Sequence, residues 1–102
     1  NEEEHDHEDF ESIVLNLDEI EDEKEICKKI ERLTEDYEIL RIKGYLSIKN
    51  KPMRFLIQSV GSRVRGQYDK MWEPNQIKKS KLVFIVEHEK INKTIIQKYI
   101  LG

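Results

Sequence analysis

The chain has 102 residues, of which 37% are hydrophobic and 38% are charged, and its formal net charge is −3. This length suits a single domain with one modest core, because folding buries roughly 60–65% of the surface of such a chain. No apolar run approaches the roughly 18 residues of a membrane helix, and the acidic start is unlike a signal peptide, so we expect a cytoplasmic protein that contacts no membrane.

Charge is distributed very unevenly along the sequence. Residues 1–38 contain 17 acidic and four basic side chains, whereas residues 39–81 contain two acidic and 11 basic ones. A chain polarised in this way has one acidic and one basic region. Either the two regions neutralise each other within the fold, or the basic region stays available to a partner.

Residues 1–9 form an acidic stretch without an apolar side chain. Such a stretch cannot bury surface, so we predict a solvated linker or tail, followed by a folded domain over residues 10–102. Two histidines in it, His5 and His7, are separated by one residue and flanked by carboxylates. They could hold Zn²⁺ or Co²⁺ weakly, since both ions accept imidazole and carboxylate ligands. The alternative is a linker that binds no metal.

The folded part is predicted to begin with a strand over Phe10–Leu17, in which Ile13, Leu15 and Leu17 share one face. Residues 18–37 have the spacing of an amphipathic helix with an acidic first turn. Either Asp18 or Asp22 could cap that helix. Its apolar stripe consists of Ile26, Cys27, Ile30, Leu33 and Tyr37. We interpret the cysteine, the only one in the chain, as a small core residue.

Three alternating segments follow, and they predict strands over residues 39–49, 53–59 and 63–68 with turns between them. In the first of these strands, Leu40 and Ile42 are expected on the buried face. The opposite faces of the three strands are basic rather than apolar. They carry Arg41, Lys43, Tyr45, Arg54, Leu56, Arg63 and Arg65.

A fifth strand is predicted over residues 80–86, where five apolar residues run from Leu82 to Val86. An unbroken apolar run of this length is typical of a strand buried on both faces, so we expect it inside the sheet with layers above and below. Residues 89–101 then predict a helix that closes the chain. Its apolar stripe is Ile91, Ile95, Tyr99 and Ile100.

The resulting order, β-α-β-β-β-β-α, predicts an α+β fold: a five-stranded, largely antiparallel sheet with two helices on one face. The other face is expected to need no covering layer because it is basic. A flat array of cations suits an acidic partner surface. The predicted partner-docking residues are Arg41, Lys43, Arg54, Arg63 and Arg65.

No pattern in the sequence is typical of an active site. There is no glycine-rich phosphate loop and no Cys-x-x-Cys pair, and His88 follows the fifth strand as an expected surface residue. We therefore expect no catalytic residue in this chain. The triplet at residues 43–45 matches the start of an RNA-recognition strand, but the stacking aromatics that should follow are missing. A small nucleic-acid-binding sheet is the alternative function.

Five short segments resemble, in order and spacing, the C-terminal domain of CobW-type P-loop GTPases. The segments are residues 10–15, 40–46, 56–61, Trp72 and residues 80–85. A stretch rich in histidine and acids before the domain, as at residues 5–7, is also common in that family.

The resemblance implies an accessory domain without hydrolytic activity, belonging to a metallochaperone or metal-insertion factor for cobalamin synthesis or for zinc and cobalt homeostasis. GTP and the Cys-x-Cys-Cys metal motif of the family would belong to an N-terminal GTPase domain outside this chain, so no catalytic residue carries over. The implied partners are that GTPase domain and a metal-receiving client protein. No resident cofactor is expected in the fragment, apart from Zn²⁺ or Co²⁺ bound transiently.

Overall fold

The computed structural model describes residues 9–102. Its elements follow the predicted order and confirm the α+β class. They are β1 (Phe10–Leu17), α1 (Glu23–Asp36), β2 (Ile39–Leu46), β3 (Met53–Val60), β4 (Arg63–Met71), β5 (Ser80–Glu87) and α2 (Lys93–Leu101).

Both helices begin later than their apolar spacing predicts, because a side-chain cap fixes each start. Asp22, rather than Asp18, caps α1, and its carboxylate accepts a hydrogen bond from the Lys24 backbone N–H at 2.9 Å. Asn92 caps α2 by accepting from the Ile95 backbone N–H at 3.0 Å. These side chains replace hydrogen bonds that the first turn of a helix cannot make internally.

The five strands form one sheet in the order β1-β5-β2-β3-β4, and every neighbouring pair is antiparallel. The last strand of the sequence is therefore inserted between the first two. This confirms the prediction that β5 is an interior strand.

The prediction that β5 is buried on both faces is wrong. Leu82, Phe84 and Val86 are buried in the core, but Val83 and Ile85 on the other face are only half-buried. Both helices pack into the single core that lies on one side of the sheet. Among the described residues, both helices lie on the other side of the sheet, so an apolar run in this chain does not require two helical layers.

The core is one continuous cluster between the helices and the sheet. Its largest fully buried side chains include Phe84, Leu15, Ile30 and Leu33, which come from both helix and strand elements. In α2 the stripe is displaced from the prediction: Ile96 is fully buried, whereas Ile95 only packs against the margin of the cluster.

A register irregularity between Ile39 and Arg41 changes the start of β2. Strict alternation predicted Leu40 on the buried face, but Leu40 is half-buried and Ile39 is 1% exposed. A bulge of this kind lets Ile39 and Ile42 both face the core. The extra residue shifts the alternation of side chains between the two faces of the sheet by one position. Arg41 is consequently exposed on the opposite face.

Gly44 of β2 is paired with Leu82 of β5. A Cβ atom at this position would collide with the Lys81 backbone carbonyl oxygen and would lie 2.8 Å from the Leu82 Cα. The obstacle is backbone in the middle of the sheet, so it cannot move aside without disturbing the pairing of the two strands.

We expect Gly44→Ala to lower the free energy of unfolding by about 3 kcal/mol, the upper part of the range for overpacking. Gly61→Ala is the matched control, because Gly61 has a positive φ of 58° and nothing lies within 4 Å of a Cβ there. The control should cost only about 1 kcal/mol, for the left-handed backbone. Urea unfolding of both variants measures the difference, and equal losses would contradict this account of Gly44.

Candidate docking surface

The sheet face that points away from the helices is called the open face here, and the strand register arranges its side chains in rows. The central row contains Val14, Val83, Lys43, Gln58 and Arg65, one residue from each strand. The row on one side of it contains Ser12, Ile85, Arg41, Val60 and Arg63. The row on the other side contains Asn16, Lys81, Tyr45, Leu56 and Gln67.

A shallow groove of about 940 Å³ crosses this face over β5, β2, β3 and β4. Val83 and Ile85 contribute apolar floor to it. Five cationic side chains line the groove: Arg41, Lys43, Arg63, Arg65 and Lys81. No carboxylate lines it within the described part of the chain. The groove therefore combines an apolar floor with a positive rim.

The cations alternate with neutral residues across the strands. Gln58 lies between Lys43 and Arg65, and Val60 lies between Arg41 and Arg63. Two strand spacings, about 9.6 Å, separate the cations of each row. Like charges directly opposite one another destabilise a sheet. This arrangement keeps the summed positive potential of the face while avoiding the closest repulsive contacts.

Among the described residues, no carboxylate forms an ion pair with a cation of this groove. Within residues 9–102, the ion pairs join Lys29 to Glu25, Lys49 to Glu21, Arg54 to Asp69, and His88 to Glu11 and Glu89. None of them includes a groove cation. Within residues 9–102, Lys49 and Arg54 of the basic region are therefore paired, whereas the groove cations stay available on the surface.

Four of the five predicted docking residues line the groove, and the fifth, Arg54, does not. The Arg54 guanidinium makes a two-pronged ion pair with Asp69, with bonds of 2.8 Å from Nε to Oδ1 and 2.8 Å from Nη2 to Oδ2. Its carbon also lies 3.9 Å from the centre of the Tyr45 ring. Arg54 thus has its charge satisfied inside the domain, and it holds Tyr45 in place at the end of the groove.

Sequence reasoning missed Lys81, although a signal for it was present. Position 81 has the same parity as Val83 and Ile85, so alternation along β5 places it on the open face. The interpretation of β5 as doubly buried hid this signal.

The other predicted site residues do not join the groove. His5 and His7 lie outside the described residues, so their metal binding stays a prediction. Among residues 9–102, no group of three histidine, cysteine, aspartate or glutamate side chains could hold a metal ion. Cys27 packs against the core, and burial, followed by the charges of Glu31 and Glu23, raises the pKa of its thiol. Neither helix in the described part of the chain is long and apolar enough to cross a membrane.

The Arg54–Asp69 pair shifts the pKa of both side chains. Its hydrogen bonds raise the pKa of Arg54 and lower the pKa of the Asp69 carboxyl below its usual range. The side chains are 14% and 19% exposed. A carboxyl with a lowered pKa stabilises the fold while it is ionised, so this contribution is complete above the ordinary aspartate pKa of about 3.9 and is lost as the pH falls through the lower, folded value.

We expect Asp69→Asn to lower the free energy of unfolding by about 1.5–3 kcal/mol at pH 7, the range for hydrogen bonds to charged groups. The gap between the variant and the unsubstituted chain should shrink below about pH 4. Urea unfolding at pH 7 and at pH 2.5 measures it. Glu21→Gln, at an exposed ion pair, is the control and should change stability by less than about 0.5 kcal/mol. A gap that is the same at both pH values would contradict the assignment.

Comparison with protein families matches residues 10–99 to the model described as the cobalamin synthesis protein cobW C-terminal domain. The zinc chaperone CobW of Sinorhizobium sp is 37% identical over 87 residues, which cover 85% of this chain and 25% of that protein. The zinc chaperone CobW of Pseudomonas aeruginosa is 40% identical over 74 residues, which cover 72% of this chain and 20% of that protein.

Two solved structures share the fold. The Zn(II)-bound YjiA GTPase from E. coli superimposes with a TM-score of 0.78 at 28% identity, over 100% of this chain and 32% of that one. A Zn(II)-bound triple mutant of YjiA gives a TM-score of 0.78 at 30% identity, over 92% of this chain and 29% of that one. This chain thus spans about a quarter of the curated relatives that it matches. The predicted resemblance is confirmed, and the chain belongs to the family of CobW C-terminal domains.

Proposed function

We propose that this chain is the accessory domain of a CobW-like GTPase that acts in the cytoplasm as a metallochaperone or metal-insertion factor, for cobalamin biosynthesis or for zinc and cobalt homeostasis. The names of the relatives support this: two are zinc chaperones, and two structures are of a Zn(II)-bound GTPase. Those proteins are three to five times longer than the matched region. GTP binding and hydrolysis belong to the N-terminal GTPase domain, and this fragment performs no catalysis.

The role of the fragment is docking, and the groove of the open face carries it. Five cations that pair with no carboxylate of residues 9–102 surround an apolar floor, which suits a partner surface that is acidic at its rim and apolar at its centre. The partner is an acidic surface of the GTPase domain of the same protein. Covalent linkage gives that domain an effective concentration in the millimolar range, so even a weak contact is populated. A metal-receiving client protein with a similar acidic surface would compete for the groove.

The alternative function, nucleic-acid binding, is less well supported by the geometry. The groove is basic, but Tyr45 is the one aromatic side chain in its lining, and the Arg54 guanidinium lies against its ring at 3.9 Å. Sheets that bind single-stranded RNA stack two or three bases on exposed aromatic faces. The open face therefore offers cations without the stacking platform.

We expect the double substitution Arg41→Glu and Arg65→Glu to weaken docking in the full-length protein, because two attractive charges become repulsive. Small-angle scattering at 150 mM salt should show a larger radius of gyration for this variant. Lys24→Glu with Lys28→Glu, on the exposed side of α1, is the matched control with the same change in charge. Equal compactness of the two variants would contradict docking through this face. If the Arg41→Glu, Arg65→Glu variant stays compact but no longer binds a client protein, the groove is the docking site of the client and not of the GTPase domain.

Filter binding of this 102-residue chain to single-stranded RNA and DNA oligonucleotides tests the alternative. We expect the unsubstituted chain to retain no more oligonucleotide at 50 mM salt than the Arg41→Glu, Arg65→Glu variant does. Retention that falls steeply between 50 and 200 mM salt would instead indicate phosphate contacts and would favour a nucleic-acid partner.

A further inference from the structure

The open face is divided lengthwise into columns, because side chains two residues apart along a strand lie on the same face of a sheet. The β3 column is neutral and consists of Val60, Gln58 and Leu56. Cations stand on both sides of this column, on the two strands that pair with β3. They are Arg41 and Lys43 of β2, and Arg63 and Arg65 of β4. The neutral column between these two positive walls is called the β3 trough.

The dimensions of the β3 trough match those of an α-helix. Its walls are two strand spacings apart, about 9.6 Å, and a helix with its side chains is about 10–12 Å wide. The two cations of one wall are separated by two residues of a strand, about 6.8 Å. Carboxylates at positions i and i+4 of a helix are about 6.0 Å apart along its axis. A helix that lies along β3 can therefore place one acidic side chain opposite each cation.

The floor of the β3 trough suits an apolar stripe with acids beside it. Val60 is 64% exposed, Leu56 is half-buried, and the exposed Gln58 between them carries no charge. The four wall cations form no ion pair with residues 9–102. Charge complementarity thus favours an amphipathic helix whose narrow apolar stripe has carboxylates along both sides.

Other shapes of acidic partner match the β3 trough less well. An extended segment lying in it would have backbone N–H and C=O groups without partners, since β3 already pairs with β2 and β4. A helix satisfies these groups internally. A flat surface would rest on the ends of the long wall cations and would not reach Val60 between them.

We propose that the β3 trough binds one acidic amphipathic α-helix of the partner, which lies along β3. The inference rests on the proposed docking function and specifies the element of the partner that the open face recognises. The helix supplies on this face a layer like the one that α1 and α2 form on the other. Its apolar stripe contacts Val60 and Leu56, and its carboxylates pair with the four wall cations.

A designed peptide of 18 residues tests the shape of the partner. It has a leucine stripe along one side of a helix, with a row of glutamates at i,i+4 spacing on each side of the stripe. In an NMR titration of the 102-residue chain, the backbone amides of β3 should shift most, and circular dichroism should show that the peptide gains helicity on binding. A peptide with the same composition in shuffled order and one with a central proline should each bind at least tenfold more weakly.

Two tryptophan substitutions test where the helix lies. Gln58→Trp fills the floor of the β3 trough and should weaken binding of the helical peptide at least tenfold. Asn16→Trp places the same side chain on the open face of β1, about 14 Å from β3, and should leave the affinity within a factor of three. Both original side chains are exposed, so both variants should keep the thermal midpoint of the unsubstituted chain.

The outcomes separate this inference from docking itself. If the proline peptide binds as tightly as the helical one, or if neither binds at 1 mM, the trough does not recognise a helix and the inference is wrong. Docking through the open face is decided separately, by the compactness of the full-length Arg41→Glu, Arg65→Glu variant. If Asn16→Trp abolishes binding and Gln58→Trp does not, the helix lies over β1 and β5, and its placement along β3 is wrong.

Discussion

The structure depends on one constraint: two short helices cover a five-stranded sheet, and they cover one face of it. The apolar side chains of β1, β2, β3 and β5 that point toward the helices are collected into a single core, and Val64 and Tyr68 of β4 pack against it. The side chains that point the other way must tolerate water, and most of those in the three rows are cationic or polar. Exposure of the open face is thus a consequence of how the chain folds. Two of its apolar residues, Val83 and Ile85, are half-buried and are paired with Lys43 and Arg41, long cations whose stems can cover apolar surface.

Much of this arrangement could be predicted from local sequence, because alternation in β2, β3 and β4 separates core residues from open-face residues almost one by one. The open-face positions Arg41, Lys43, Arg63 and Arg65 followed from that pattern alone. The pattern failed at the bulge of β2, where Ile39 replaces Leu40 in the core, because only the pairing with β5 requires the extra residue.

Two further features depended on tertiary contacts that the sequence does not reveal. The apolar run of β5 indicates that neither face of the strand is fully exposed to solvent. It does not indicate whether a second helical layer or neighbouring side chains reduce that exposure. The Arg54–Asp69 pair joins residues 15 positions apart through the β3–β4 register. Without that register, Arg54 is indistinguishable from the arginines that line the groove.

The charge asymmetry of the sequence is realised as an asymmetry between the two sides of the sheet. Residues 18–38, which include α1, carry ten acidic and four basic side chains, whereas residues 9–102 line the groove on the open face with five cations and no carboxylate. The core, with its low dielectric, lies between them, so the charges of the two layers are not in contact. If the domain docks on an acidic surface as proposed, the open face would attract that partner and the helical layer would repel it. The charge asymmetry would then specify the orientation of docking as well as the sign of the partner, because the wrong orientation brings like charges together.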